Sequence, residues 1–167
     1  MEGNFLDVTV SVKRVTKVTR GGKRFAFSAF VVSGDKEGNV GFATGRSRDV
    51  SSAIAKATTK ARKRMVAFPL RGYTIAYPVK GSFGSSQVIL RSAYKGTGVI
   101  AGGPVRSVMD ALGVHDVLAK SFGSSNPCNV VKATFNALSQ LRSIRDIARL
   151  RGITIENVIK GSHVQAE

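Results

Sequence analysis

Period-two patterning on both sides of a Gly-Gly pair constrains the start of this chain more than any other feature. Val8, Val10 and Val12 alternate with Thr9, Ser11 and Lys13, the signature of a half-buried strand. From Phe25 to Val32 both alternations are apolar, with Phe25, Phe27, Ala29 and Val31 on one face and Ala26, Phe30 and Val32 on the other. That pattern predicts a strand covered on both sides. Between the two lies Arg20-Gly21-Gly22-Lys23-Arg24, which reads as a hairpin tip. A third strand, Val40 to Thr44, follows the turn Asp35 to Asn39. The period then changes. Val50, Ala53, Ile54, Ala57, Ala61 and Met65 form the packing stripe of a helix from about Val50 to Met65, with Asp49 or Ser47 as its N-cap.

Beyond Phe68-Pro69-Leu70-Arg71-Gly72, where Pro and Gly mark a change of pattern, the order reads β-β-α-β-α. The strands are Thr74 to Val79, Gln87 to Ser92 and Val117 to Phe122. A Gly-rich loop, Gly96 to Gly103, leads into a helix opened by Pro104 and stopped near Gly113. Asn126-Pro127 caps and starts a helix with Val130, Val131, Phe135, Leu138 and Leu141 on its buried face. Two short helical patterns follow, Ile144 to Arg151 ended by Gly152, and Thr154 to Lys160. The expected fold is α+β in two domains, residues 1–71 and 72–167.

Charge narrows the function. The 167 residues carry 26 Lys+Arg against 10 Asp+Glu, a net +16, which makes a polyanion the default partner. Residues 1–71 hold 15 basic and 5 acidic residues and the remainder 11 and 5, so +10 and +6. The helix Val50 to Met65 contains no acid, whereas a solvated helix face mixes Glu with Lys. Lys56, Lys60 and Lys63 form a row on it, thickened by Arg62 and Arg64. This row and the hairpin tip are candidate phosphate contacts. The longest mainly apolar run, Phe25 to Val32, falls far short of the roughly 20 residues that span a bilayer. The acidic N-terminus shows no secretory signal, and the lone Cys128 fits a reducing compartment with no zinc site.

Enzyme chemistry lacks parts. Gly96-x-Gly98-x-x-Ala101 matches the dinucleotide fingerprint on paper, but Ser92-Ala93-Tyr94-Lys95 separates it from the preceding strand end, and no Lys-Ser or Lys-Thr follows. The alternatives are a loop packed on a neighbour, or a helix N-terminus receiving an anion beside Arg106. His115 and His163 are isolated, the carboxylates are scattered and no serine has a readable His partner. No cofactor or metal is expected. An RNA recognition motif would need βαββαβ order, and Val40-Gly41-Phe42-Ala43 only echoes it. The β-β-β-α order with a basic final helix is closer to a double-stranded-RNA-binding domain, without room for that domain's first helix.

Four longer motifs make the resemblance specific: Arg14 to Phe25, Gly38 to Gly45, Gly96 to Arg106, and Gly113 to Pro127. In this order they resemble the bacterial form of the small-subunit ribosomal protein five family. The resemblance implies a double-stranded-RNA-binding-like N-terminal domain and a C-terminal domain whose strand-helix-strand crossover is left-handed, against the usual rule. It implies a cytoplasmic ribonucleoprotein component that binds small-subunit ribosomal RNA, supports assembly, and lies where mRNA enters the subunit and is unwound. It also implies contacts with small-subunit proteins four and eight, the former bearing on decoding accuracy. Carried over by position, Thr19, Arg20, Gly21, Gly22, Lys23 and Arg24 are expected to reach RNA, and Lys17 is expected beside them. Arg46, Arg48, Lys56, Lys60, Arg62, Lys63 and Arg64 join them, while Gly98, Gly102, Gly103 and Arg106 are expected at a protein interface. A nucleotide-dependent enzyme built on Gly96 to Gly103 and a free-standing RNA-binding regulator are the competing readings.

Overall fold

The computed structural model describes residues 5–160; the extension before Phe5 and the tail His163 to Glu167 lie outside the described residues. Strands β1 (Leu6–Thr19), β2 (Gly22–Gly34) and β3 (Asn39–Ser47) form an antiparallel meander, followed by helix α1 (Val50–Arg62) and a two-residue strand β4 (Val66–Ala67) that returns to β3. Strands β5 (Val79–Phe83), β6 (Ser86–Ser92), β7 (Val99–Ile100) and β8 (Val117–Gly123) make a second sheet in the order β5-β6-β8-β7. Helix α2 (Gly103–Leu112) connects the parallel pair β7 and β8, and α3 (Pro127–Leu138), α4 (Ile144–Arg151) and α5 (Ile155–Lys160) complete the chain. The fold is α+β.

Small residues set the first layer. Ala53, Ala57 and Ala61 are the buried face of α1, and they lie so close to β3 that a Cβ at Gly41 or Gly45 would overlap helix backbone. The expected stripe is correct at its alanines, but Val50 is exposed and the helix ends at Arg62 rather than Met65. Asp49 sits at the N-cap position without a side-chain hydrogen bond, and Ser47 belongs to β3.

The other face of the first sheet packs on the second unit. Phe30, Val32, Val40 and Phe68 share one apolar core with Met109 and Leu112 of α2 and Leu138 of α3. Phe135 stands edge-on to Phe42 at 4.7 Å and to Phe68 at 5.6 Å, a favoured aromatic geometry. The β2–β3 turn locks the units together, its Lys36 and Gly38 N–H groups donating to the Ala111 and Leu112 carbonyls at 3.1 Å each. Those carbonyls end a helix and would otherwise lack partners. Tight coverage on both faces therefore begins at Ala29 and runs to Gly34, and Phe25, expected to be covered, is 48% exposed.

Three further expectations change. A bulge between Thr9 and Ser11 inverts the alternation of β1, so Ser11 takes the inward phase and Val12 is exposed. No strand runs from Thr74 to Tyr77. Pro78 has no N–H for a ladder, and the segment is held instead by buried Ile75 and by the Tyr77 hydroxyl, which donates to the Gln140 carbonyl and accepts from the Arg142 N–H. The Gly-rich loop contains β7, which the glycines around it obscured.

Candidate nucleic-acid interface

β3 pairs with β2 only between Phe27 and Gly34, so the β1–β2 hairpin continues alone through Val15–Thr19 and Gly22–Ala26. At the usual antiparallel rise this two-stranded arm reaches roughly 17 Å beyond the three-stranded sheet. Its turn is Arg20-Gly21, with Gly22 already paired to Thr19. Gly22 has a φ of 129°, which only glycine adopts without strain, and the Thr19 hydroxyl donates to its carbonyl at 3.1 Å. Thus Thr19 shapes the tip, and its donor faces inward.

The arm has no acid from Lys13 to Phe27. Register places Lys17 directly opposite Arg24, and like charges in that position destabilise a strand pair. The same register puts Lys13, Lys17, Arg24 and Arg46 on the face away from α1. Arg14 lies on the other face with its guanidinium 3.7 Å from the Phe25 ring centroid, which explains how Phe25 tolerates exposure. Lys23 and Arg20 are exposed near the tip, and Arg48 is exposed in the turn before α1.

The helix row occupies the opposite side of the sheet. Lys56, Lys60 and Lys63 are exposed, and they border a shallow groove of about 390 Å³ with Ala55 and Thr59. Arg62 departs from that row: it pairs with Asp7 on β1 at 2.5 Å and lies over Phe5, 4.9 Å from the ring centroid. Arg64 is exposed just past the Lys63 C-cap, its backbone N–H donating to the Ala61 carbonyl at 3.0 Å. The expected cations therefore form two separate surfaces, the arm with Arg46 and the α1 row, with Arg62 held in structure.

The Gly-rich loop carries its own anion. The Gly96 and Gly98 N–H groups donate to one oxygen of buried Asp116, at 3.0 and 2.9 Å. Donors that a nucleotide phosphate would use are occupied, which contradicts the dinucleotide reading. Gly102 and Gly103 are exposed at the start of α2, and Arg106 pairs at 3.9 Å with Asp110 one turn on. Sequence reasoning missed Asp116, which joins the loop from 18 residues away. It also left Lys13 and Arg14 out of the site, although the same acid-free run contains them. Among the described residues no cluster of His, Cys, Asp and Glu could hold a metal, and no helix is long and apolar enough to cross a membrane.

The chain matches two family profiles in succession: ribosomal protein S5, N-terminal domain, over residues 5–69, and ribosomal protein S5, C-terminal domain, over residues 81–151. It is 58% identical over 155 residues to the small ribosomal subunit protein uS5 of Flavobacterium psychrophilum, covering 93% of this chain and 89% of the relative. The uS5 protein of Azorhizobium caulinodans is 50% identical over 158 residues, covering 94% and 85%. That of Mesorhizobium japonicum is 48% identical over 169 residues, covering 99% and 90%. With both profiles in order and such relatives along nearly its whole length, the chain belongs to the ribosomal protein S5 family.

Proposed function

We propose that this chain is a structural, non-catalytic constituent of the small ribosomal subunit in the cytoplasm, and that it holds ribosomal RNA through the β1–β2 arm and the α1 row. The observation that carries this is the acid-free arm, where Lys17 faces Arg24 across the strands. Without a polyanion that pair costs stability, and with phosphates alongside it becomes a binding element. In this reading Lys17, Arg20, Lys23 and Arg24 contact RNA from the arm, Arg46 and Arg48 extend the surface, and Lys56, Lys60, Lys63 and Arg64 contact it from α1. Arg62 supports the site by tying β1 to α1. The glycines at positions 21 and 22 keep the tip slim enough to approach a backbone closely.

The second unit is proposed to face protein. Ile100, Leu118 and Phe122 are exposed together on the outer face of the second sheet, which adjoins the loop that carries Gly98 and Gly102 and the first turn of α2 with Gly103 and Arg106. Lys120 and Arg91 are interleaved with these side chains, and a mixed apolar and cationic face beside a backbone-lined loop suits protein neighbours, here small-subunit proteins four and eight. Through the first of these contacts the chain would bear on decoding accuracy, and through its place on the subunit body on assembly and on the unwinding of incoming mRNA. The functional division falls at residues 71 and 72. Sedimentation of a cell lysate tests the reading: the chain is expected to travel with small subunits at high salt. Release as a free protein under those conditions would contradict it.

A further inference from the structure

We propose that the cleft along the free edge of β3 receives an unpaired stretch of RNA, with its phosphates on Lys60, Lys63, Arg64 and Lys132 and a base against Phe42. This deepens the RNA-binding reading and rests on it. β4 pairs only with Asn39 and Val40 of β3, so from Gly41 onward no strand among the described residues pairs with this edge. A cleft of about 630 Å³ runs along that edge. The end of α1 forms one wall and α3 the other, so cations from both units meet there.

Among the described residues no carboxylate lines the cleft, and none of its four cations has an ion-pair partner. Lys132 is steadied by Phe83, its ammonium 4.6 Å from the ring centroid. At the floor, half-buried Phe42 is braced by Phe30 at 5.8 Å and Phe135 at 4.7 Å. Thr44 is exposed beside it and adds a hydroxyl. A paired helix keeps its bases stacked inside, whereas an unpaired strand can turn a base onto an aromatic ring while cations track its phosphates. The cleft offers that combination, and its uniform charge favours RNA over a polypeptide strand added to the edge.

Cys128, the chain's one cysteine, lies half-buried on the α3 wall and reports occupancy through its alkylation rate. The probes are an RNA hairpin with a single-stranded tail of about eight nucleotides and the same hairpin cut blunt. With full-length protein and RNA at about ten times Kd, the tailed hairpin is expected to slow alkylation about tenfold, and the blunt one less than about twofold. The ratio of rates with and without tailed RNA is expected to return to near one in Lys132→Glu, and Lys132→Arg to restore the protection.

If both hairpins bind and Cys128 reacts as in the free protein, the cleft assignment is wrong while the RNA-binding reading stands. Equal protection by the blunt hairpin also overturns it. So does a photocrosslinker on Cys128 that captures protein instead of RNA in assembled small subunits. Binding of neither hairpin overturns the RNA-binding reading and the cleft with it.

Discussion

At Gly96 and Gly98 the backbone takes left-handed φ values of 93° and 77°, and both N–H groups meet a single Asp116 oxygen. In the sequence the Gly-x-Gly spacing reads as a paper match to the dinucleotide fingerprint and, by resemblance, as a protein contact; the Asp116 carboxylate that it binds was not legible, because it reaches the loop only where β7 pairs with the start of β8. Asp116→Ala leaves two part-buried donors without a partner and is expected to cost about 1–3 kcal/mol in urea unfolding. An unchanged midpoint would show that the loop holds itself. Asp35 does comparable work in the β2–β3 turn. Burial raises its pKa, but hydrogen bonds from the Asn39 side chain and from the Glu37 and Asn39 N–H groups outweigh it, leaving the carboxyl below its ordinary 3.8. A lowered folded pKa contributes stability above the ordinary value, lost as pH falls through the folded one. Stability is therefore expected to drop below about pH 4, and Asp35→Asn to flatten that limb of the thermal-unfolding profile. A variant with the same acid slope as the parent would remove Asp35 from the account.

The arm and α1 are elements whose composition works against their own stability. In β1 and β2 the hairpin was readable from alternation and the Gly-Gly pair, and the missing acids were countable. The bulge was not, because the valines at 8, 10 and 12 keep perfect spacing in sequence while Val10 drops out of register in space. It decides which cations share a face. Without it Lys13 and Lys17 would stand on the α1 side, away from Arg46. Lys17→Glu turns a like-charge cross-strand pair with Arg24 into an opposite one and is expected to stabilise the free protein by about 0.2–1 kcal/mol. The same variant is expected to bind ribosomal RNA more weakly. Higher Tm together with lower RNA affinity is the expected pair of results, and an affinity that stays level would detach the arm from RNA. On α1 the alanine stripe was legible through its 3.6 period, whereas the close approach to Gly41 and Gly45 that requires alanine there was not.

For the molecule as a whole, the sequence showed two patterns of secondary structure and two shares of charge, but not that the halves share a core. Phe30 and Val32 read as one side of a doubly covered strand, yet nothing local says that the cover on that side is α2 and α3. Phe135 reads as the apolar stripe of its own helix and in fact stands against Phe42 and Phe68 of the first unit. Long-range packing of this kind leaves no periodic trace. Charge also sorts differently in space than along the chain: Arg62 belongs to a bridge with Asp7, and Lys132, which no sequence pattern singled out, faces the α1 lysines across a cleft. The central claim, that unpaired cations on the arm and α1 hold RNA phosphates, is tested most directly by the salt dependence of binding to small-subunit ribosomal RNA. Replacing Lys56, Lys60 and Lys63 with Glu is expected to flatten the plot of log affinity against log salt by up to about 0.9 for each phosphate left without its cation, with Arg62→Ala leaving the slope unchanged as a control. A parental slope in the triple variant would contradict the account.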